Sequence, residues 1–345
     1  MGNYVKSSDV QNYIKTVFEA DNEKELEEQI MKIREFRTGL FRKNIHFYAP
    51  SFMHYKTSLF SSSPSHFPTV SLTGNSCALK CKHCGGKVLE TMYSATTPRK
   101  LFELCMQLRR KGTLGCLVSG GCLHDGSVPL RKFIDVIAKI KRETGLTIIV
   151  HTGIVDYDTA QALGNAGVDT ALIDIIGSDE TIKEIYKLNA TVKDYEDSLK
   201  ALDDAGIAFV PHVVVGLHYG KLKGELHALQ MISRYQPSAL VIIAFMPIHG
   251  TEMVEVPPPT PLDIAKVVAA ARLMFPETAL ALGCMRPKGK HRTKTDILAI
   301  KAGVDAIAFP QEEAIRFAKE EEKDITFSSV CCSQIYAEMK ISRHL

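Results

Sequence analysis

Tryptophan is absent, cysteine supplies only nine of 345 residues, and long apolar runs are missing. So sparse a cysteine content excludes a disulfide scaffold. The longest apolar stretch, residues 239–247, is too short to span a membrane. Residues 1–6 have no apolar core for a secretory signal, and Lys6 stands where a myristoylation site needs Ser or Thr. Net charge is nearly absent as well. The 42 basic and 39 acidic residues leave +3, too little for a surface that wraps nucleic acid. With 45% hydrophobic and 23% charged residues, the composition excludes a disordered chain. The expectation is a cytoplasmic protein with reduced thiols that binds neither membrane nor nucleic acid.

The first 45 residues carry two helical patterns. Val10, Ile14, Val17 and Phe18 share one face, and Leu26, Ile30 and Ile33 share another, with Gly39 as a stop. A Ser-rich connector, residues 58–68, separates this N-terminal helical appendage (1–67) from the rest. From Pro68 onward, short apolar runs alternate with helical segments. The runs are 69–73, 116–119, 147–151, 170–176, 208–215, 239–246, 279–282 and 306–309. Three junctions repeat a helix end, a Gly and a buried strand, at Gly167, Gly206 and Gly303. Eight such units over 68–310 predict an α/β fold of the (β/α)8 TIM-barrel type, about 250 residues long. A doubly wound sheet fits less well, since the first strand-to-helix turn lacks a G-x-G-x-x-G fingerprint. Residues 311–345 read as a C-terminal helix and a cysteine-containing tail lying over the barrel mouth.

In a barrel, chemistry sits at the C-terminal ends of the strands. The first predicted strand runs into Cys77, Cys81 and Cys84, spaced C-x3-C-x2-C. Three thiolates at such short spacing suit three corners of a [4Fe–4S] cluster. No fourth cysteine lies near in sequence, which leaves one iron open for catalysis. A structural zinc site would want a closed set of four ligands. His83 is poorly placed to be the fourth, because it sits between two of the cysteines. The second strand ends in Ser119, Gly120 and Gly121, and paired glycines there let backbone approach a ligand closely.

These features resemble the radical S-adenosylmethionine (SAM) enzymes. Cys77, Cys81 and Cys84 match the superfamily's C-x3-C-x-φ-C, with His83 where an aromatic is commoner. Ser119-Gly120-Gly121 resembles its G-G-E stretch, with Cys122 in place of the acid. The resemblance implies that SAM binds the open iron through its amino and carboxylate groups. Cleavage of SAM by the cluster then yields a 5′-deoxyadenosyl radical that abstracts hydrogen from an unactivated C–H. Within the superfamily the sequence is most similar to the biotin and lipoyl synthase group. That similarity is carried by the segments around Gly167, Gly206, Gly216, Gly250 and Pro276. It implies a ribose contact from Asp174 and adenine contacts from the backbone of Phe245, Met246 and Pro247. His83 in the cysteine loop and His151, which ends the third strand and is expected to face the mouth, are further candidate cofactor-binding residues. For His151 a purely packed, hydrogen-bonded role stays open.

The internal cluster of biotin synthases has no counterpart in this sequence. The corresponding positions are approximately Val118, Ile149, Val210 and Ala281, none of which can ligate iron. The N-terminal cysteine motif of one-component lipoyl synthases is missing too, because residues 1–76 contain no cysteine. What remains is Cys284 after a barrel strand and the pair Cys331-Cys332 in the tail, candidate ligands of a second iron–sulfur cluster. The alternative is that buried cysteines act as small hydrophobes, which suits Cys105 and Cys116. The layout resembles the two-component lipoyl synthases, which the segments 47–52, 74–91 and 283–289 also carry. That resemblance implies several partners: an octanoylated lipoyl-domain or H-protein, a second radical SAM subunit, and a ferredoxin- or flavodoxin-type electron donor. A radical SAM enzyme without sulfur insertion is the rival reading. On either reading, Cys81→Ala should abolish reductive SAM cleavage while the fold survives. The check is 5′-deoxyadenosine formed with dithionite, beside a circular dichroism melt.

Overall fold

The strands are runs of Val, Ile, Leu and Ala with little alternation, the pattern of a parallel sheet covered on both faces. The computed structural model describes residues 7–36, 39–51, 54–62 and 65–342. Residues 1–6, Phe52, Ser63 and Pro64, which entered the sequence reading, lie outside the described residues. In chain order the strands are β1 (Asn44–Tyr48), β2 (Thr69–Ser71), β3 (Tyr93–Ser94), β4 (Gly115–Ser119), β5 (Thr147–His151) and β6 (Thr170–Asp174). They continue with β7 (Phe209–Val215), β8 (Ala239–Ala244), β9 (Ala279–Leu282), β10 (Ala306–Ala308) and β11 (Asp324–Ser328). All eight predicted strands are present. Three lie outside that set, and two of these, β1 and β11, also lie outside the span 68–310.

The strands form one parallel sheet in the order β11-β1-β10-β9-β8-β7-β6-β5-β4-β2-β3. It is a curled, partial (β/α) barrel. An eight-membered ring would need β10 to meet β2. Here β10 pairs with β1 instead, which in turn pairs with β11. The sheet therefore crosses the expected boundaries at 67 and 310. The three repeated glycines have positive φ, 81° at Gly167, 63° at Gly206 and 96° at Gly303, as the junction pattern predicts.

Both N-terminal helices form where predicted, at Ser7–Glu19 and Glu23–Phe36. Their apolar faces, with Ile14, Val17, Leu26, Ile30 and Ile33, are buried in the main core. They cover the helix Pro261–Met274: Lys266 Nζ donates to the Phe18 carbonyl at 3.1 Å. Among the described residues, no helix is long and apolar enough to cross a membrane.

The tail departs from expectation. It does not lie over the mouth but turns into the barrel and fills its interior. Cys332 and Ile335 belong to one buried cluster with Tyr48, Ile149, Leu172, Val210, Val241 and Ala281. Gln334 Nε2 donates to Thr170 Oγ1 at 2.8 Å, and Tyr336 Oη donates to the Asp169 carbonyl at 3.0 Å, both at the N-terminal end of β6. The physical reason is space. Barrel interiors are usually filled by bulky branched residues from the strands. Here β8, β9 and β10 contribute Ala239, Ala279, Ala281, Ala306 and Ala308 to the cluster. The vacant volume is taken by the tail.

The same end of the sheet holds a buried charge cluster. Asp305 Oδ2 accepts from Arg272 Nη2 at 2.5 Å, Arg42 Nη1 at 2.7 Å and the Leu280 amide at 2.8 Å. Arg272 is fully buried and Asp305 nearly so. Removing one partner of a buried pair strands the other charge, at a cost of about 3–5 kcal/mol. Asp305→Ala should destabilise the fold by about that amount, read as a lower urea midpoint than wild type.

Candidate active site

The cysteine loop starts where β2 ends, and its shape is dictated by backbone. Lys80 takes φ 45°, Gly85 φ 52° and Gly86 φ 81°, so the chain coils tightly around the thiols. The Cys84 and Gly85 amides donate to the Cys81 carbonyl at 3.2 and 2.8 Å. This turn brings the Sγ atoms of Cys81 and Cys84 and a ring nitrogen of His83 within 4.8 Å of one another. The sequence reading had the His83 ring poorly placed to converge with its neighbours. The left-handed turn corrects that. Cys77 lies outside this group of three, on the limb of the loop that meets β4.

The glycine turn after β4 is the wall on which the loop leans. Gly121 N donates to Thr73 Oγ1 at 2.7 Å. Ala78 N donates to the Cys122 carbonyl at 2.9 Å. A Cβ on Gly121 would lie 2.1 Å from the Ser76 carbonyl oxygen and 2.6 Å from Cys77 Cα. Gly120 is tight against Thr73, at 3.2 Å. Ser119 accepts through its carbonyl from Leu72 N at 2.8 Å. On the far side, the loop after β8 closes in. A Cβ on Gly85 would lie 3.8 Å from Thr251 Cγ2. Of the predicted adenine segment, Phe245 is buried and its amide donates to the Val215 carbonyl at 2.8 Å, while Met246 and Pro247 are half-buried beside it.

Inside the mouth, neighbouring strands present three titratable side chains. His151 Nε2 lies 3.4 Å from Asp174 Oδ1, and the His151 and His212 rings are 6.1 Å apart. Burial lowers the His151 pKa, but the Asp174 carboxylate outweighs it and leaves a net rise. Burial acts to raise Asp174, and His151, His212 and His83 together reverse this to a net fall. His212 is pushed down to about 4, chiefly by burial, and so is neutral near pH 7. Its Nδ1 lies 3.1 Å from the Val210 carbonyl, where it donates. That fixes the tautomer and leaves Nε2 as an acceptor.

The sequence reading did not single out His212. A signal was there: two residues along β7 from the interior Val210, it shares the inward face. It also missed Tyr186, whose ring packs 5.2 Å from that of His83. Cys122 had been noted only as a departure from pattern. The fold brings it beside the loop as a fourth thiol.

A [4Fe–4S] cluster with an open iron is the group this site would hold, and the residues present fit it. Three thiols share one tight loop, His83 Nδ1 is buried with no hydrogen-bond partner, and the wall at Gly121 leaves no room for a side chain. The thiols are already unequal. The Cys81 hydrogen bond, with His83 assisting, holds Cys84 well below the ordinary thiol range against the opposing effect of burial. Cys81, tied up in that bond and buried, is held above it. A second cluster of potential metal ligands, Glu180, Glu184 and His218, lies on the rim. There Lys223 pairs with Glu180, and the group reads as a surface ion-pair network.

The family profile for the radical SAM superfamily matches residues 71–222. Biotin synthase from Geotalea daltonii is 24% identical over 282 residues, 77% of this chain and 82% of that one. Biotin synthase from Geotalea uraniireducens is also 24% identical, over 269 residues, 74% of this chain and 80% of that one. Among solved structures, methylornithine synthase is similar at a TM-score of 0.62 with 15% identity, covering 96% of this chain and 95% of that one. The [FeFe]-hydrogenase maturase HydG is similar at 0.64 with 14% identity, covering 98% and 82%. At such identities the structural likenesses establish the fold alone. Over residues 71–222 the chain is similar to the radical SAM superfamily, and its similarity to biotin synthase is distant.

The paired glycines after β4 were expected to let backbone approach a ligand, and the geometry shows what Gly121 approaches. The contacts at 2.1 and 2.6 Å are with the loop that carries Cys77. Gly121→Val should therefore displace that loop and lower the iron content, with SAM binding lost as a consequence. Iron per chain after anaerobic reconstitution checks this, and wild-type iron with weakened SAM binding would restore the simpler view.

Proposed function

We propose that the chain is a sulfur-inserting radical SAM enzyme of the lipoyl synthase type. Its substrate is an octanoyl chain carried on a lysine of a lipoyl-domain or H-protein. It shares the work with a second radical SAM subunit and draws electrons from a ferredoxin- or flavodoxin-type donor. The observation that carries the reading is the position of the tail. Cys331 and Cys284 pack against the buried cluster in which Cys332 lies with Ile149, Val210 and Ala281. Those are approximately the positions where the resemblance places the internal cluster ligands of biotin synthases. A sulfur source carried on the tail would occupy the space that strand cysteines serve there.

The local chemistry agrees. The hydrogen bond from Cys332 lowers the Cys331 thiol to about 7 against burial, and its neighbours include His151. Burial, followed by Cys331, pushes Cys284 up to about 11. The Cys284 carbonyl accepts from Arg292 Nη2 at 3.3 Å, and the following residue but one, Arg286, is fully buried against Asp296 at 2.8 Å. Cys284 therefore stands on a rigid segment, and Cys331 on a tail held by hydrogen bonds to β6. The cluster and SAM would supply the hydrogen-abstracting radical. The protein's part is to exclude water, through the closed lower end, and to hold a sulfide source under the abstracted position.

Wild type should carry roughly twice the iron of Cys331→Ala/Cys332→Ala after anaerobic reconstitution. The variant should still form 5′-deoxyadenosine and give no thiolated octanoyl product from a carrier peptide. Equal iron in the two proteins would remove the sulfur source and favour radical chemistry without sulfur insertion.

A further inference from the structure

The resemblance puts an aromatic residue where this chain has His83. A hydrocarbon ring there could only pack, whereas an imidazole also brings two nitrogens. The fold holds this ring from both sides. Lys82 N donates to the Ile185 carbonyl at 2.8 Å, which ties the cysteine loop to the π-helical turn Ile182–Tyr186. That turn carries Tyr186, whose ring packs 5.2 Å from the His83 ring at an interplanar angle of 52°. Turns of this kind are frequent at functional sites. So fixed, the imidazole keeps a ring nitrogen within 4.8 Å of both Cys81 Sγ and Cys84 Sγ. Its Nδ1 is buried and has no hydrogen-bond partner. Native proteins rarely leave a buried polar nitrogen unpaired, and the sulfurs beside it can accept.

We propose that His83 donates its Nδ1–H to a sulfur of the [4Fe–4S] cluster held by this loop, and that this bond eases the cluster's one-electron reduction. Hydrogen bonds to the sulfurs are among the factors that set a cluster's potential. Reduction adds one negative charge, and a hydrogen bond strengthens when its acceptor becomes more negative. A fixed N–H therefore favours the reduced state over the oxidised one. The neutral Nδ1–H tautomer and the imidazolium both offer this N–H, so the bond does not depend on titration of the ring. The step balances. One electron arrives from a low-potential donor, no covalent bond forms or breaks, and the proton stays on Nδ1. His83 thus acts through the cluster without ligating iron, as a positioning residue. The inference rests on the cluster reading of Cys77, Cys81 and Cys84 and is independent of sulfur insertion.

The test uses the full chain, reconstituted anaerobically without SAM, with two variants. His83→Phe keeps a ring against Tyr186 and removes the donor. His83→Asn restores an N–H close to the place of Nδ1. Iron content and absorbance first establish that each protein carries its cluster. A redox titration followed by paramagnetic resonance then reads the midpoint. The equilibrium constant for reduction should fall about tenfold in His83→Phe, a midpoint about 59 mV more negative, and recover in large part in His83→Asn. A second measurement needs no variant to assemble. Reduced wild type made with isotopically labelled histidine should show, by pulsed paramagnetic resonance, a weak nitrogen coupling and an exchangeable proton. Equal midpoints in wild type and His83→Phe would overturn the proposal. So would a His83→Asn midpoint as low as that of His83→Phe, which would mark a packing effect. A strong nitrogen coupling would overturn it in favour of direct ligation by His83, and no nitrogen coupling at all would leave the ring without a role at the cluster. A wild type that takes up iron without forming a cluster would overturn it together with the cluster reading.

Discussion

Everything at the mouth depends on one close approach, that of the β4 turn to the cysteine loop. A missing side chain at Gly121 lets two backbones meet at a distance no other residue permits, and the Ala78–Cys122 hydrogen bond holds them there. The loop has few apolar anchors of its own. Leu79 and Cys81 are buried, but Asn75, Ser76, Ala78 and Lys80 are exposed. Its conformation is therefore set by contact with the sheet, not by a core of its own. That seats the candidate cofactor-binding loop on rigid elements, the arrangement a precisely held site needs.

The interior shows how a barrel can be filled from outside its strands. Five alanines on β8, β9 and β10 leave room that Cys332 and Ile335 take up. A buried aliphatic side chain of that size contributes about 1.5–3 kcal/mol. The tail is thus part of the hydrophobic core, with Cys331 and Cys284 packed against the same cluster. Glu338 reinforces it by accepting from Ser328 Oγ at 2.8 Å and from the Tyr48 hydroxyl.

Much of this was legible in the residues because it is local. The C-x3-C-x2-C spacing lies within one turn, and the strand runs are continuous because both faces are buried. The glycines at 167, 206 and 303 are demanded by single backbone angles. What escaped is non-local. β1 was read as part of a helical appendage, because nothing in Asn44–Tyr48 announces a partner in β10 and β11. The tail was set over the mouth because its true seat depends on small side chains shared among three strands. Cys122 could not be joined to the motif without knowing that β2 and β4 are neighbours. His212 had a readable signal, the inward face of β7, and was lost among the apolar residues around it.

The strand order also sets an order of assembly. Strands β4 to β9 pair with their successors in the chain, so each βα unit can dock as it forms. The first strand, in contrast, waits for the last two, at Ala306–Ala308 and Asp324–Ser328. Closing so long a loop adds only about 0.6 kcal/mol per doubling of its length, yet non-local pairing of this kind slows folding. Until β1 arrives, the edge of β10 stays open, a template for another chain. Docking of β1 is therefore the step expected to come late and to leave an edge exposed, an order that pulse-labelled hydrogen exchange would read directly.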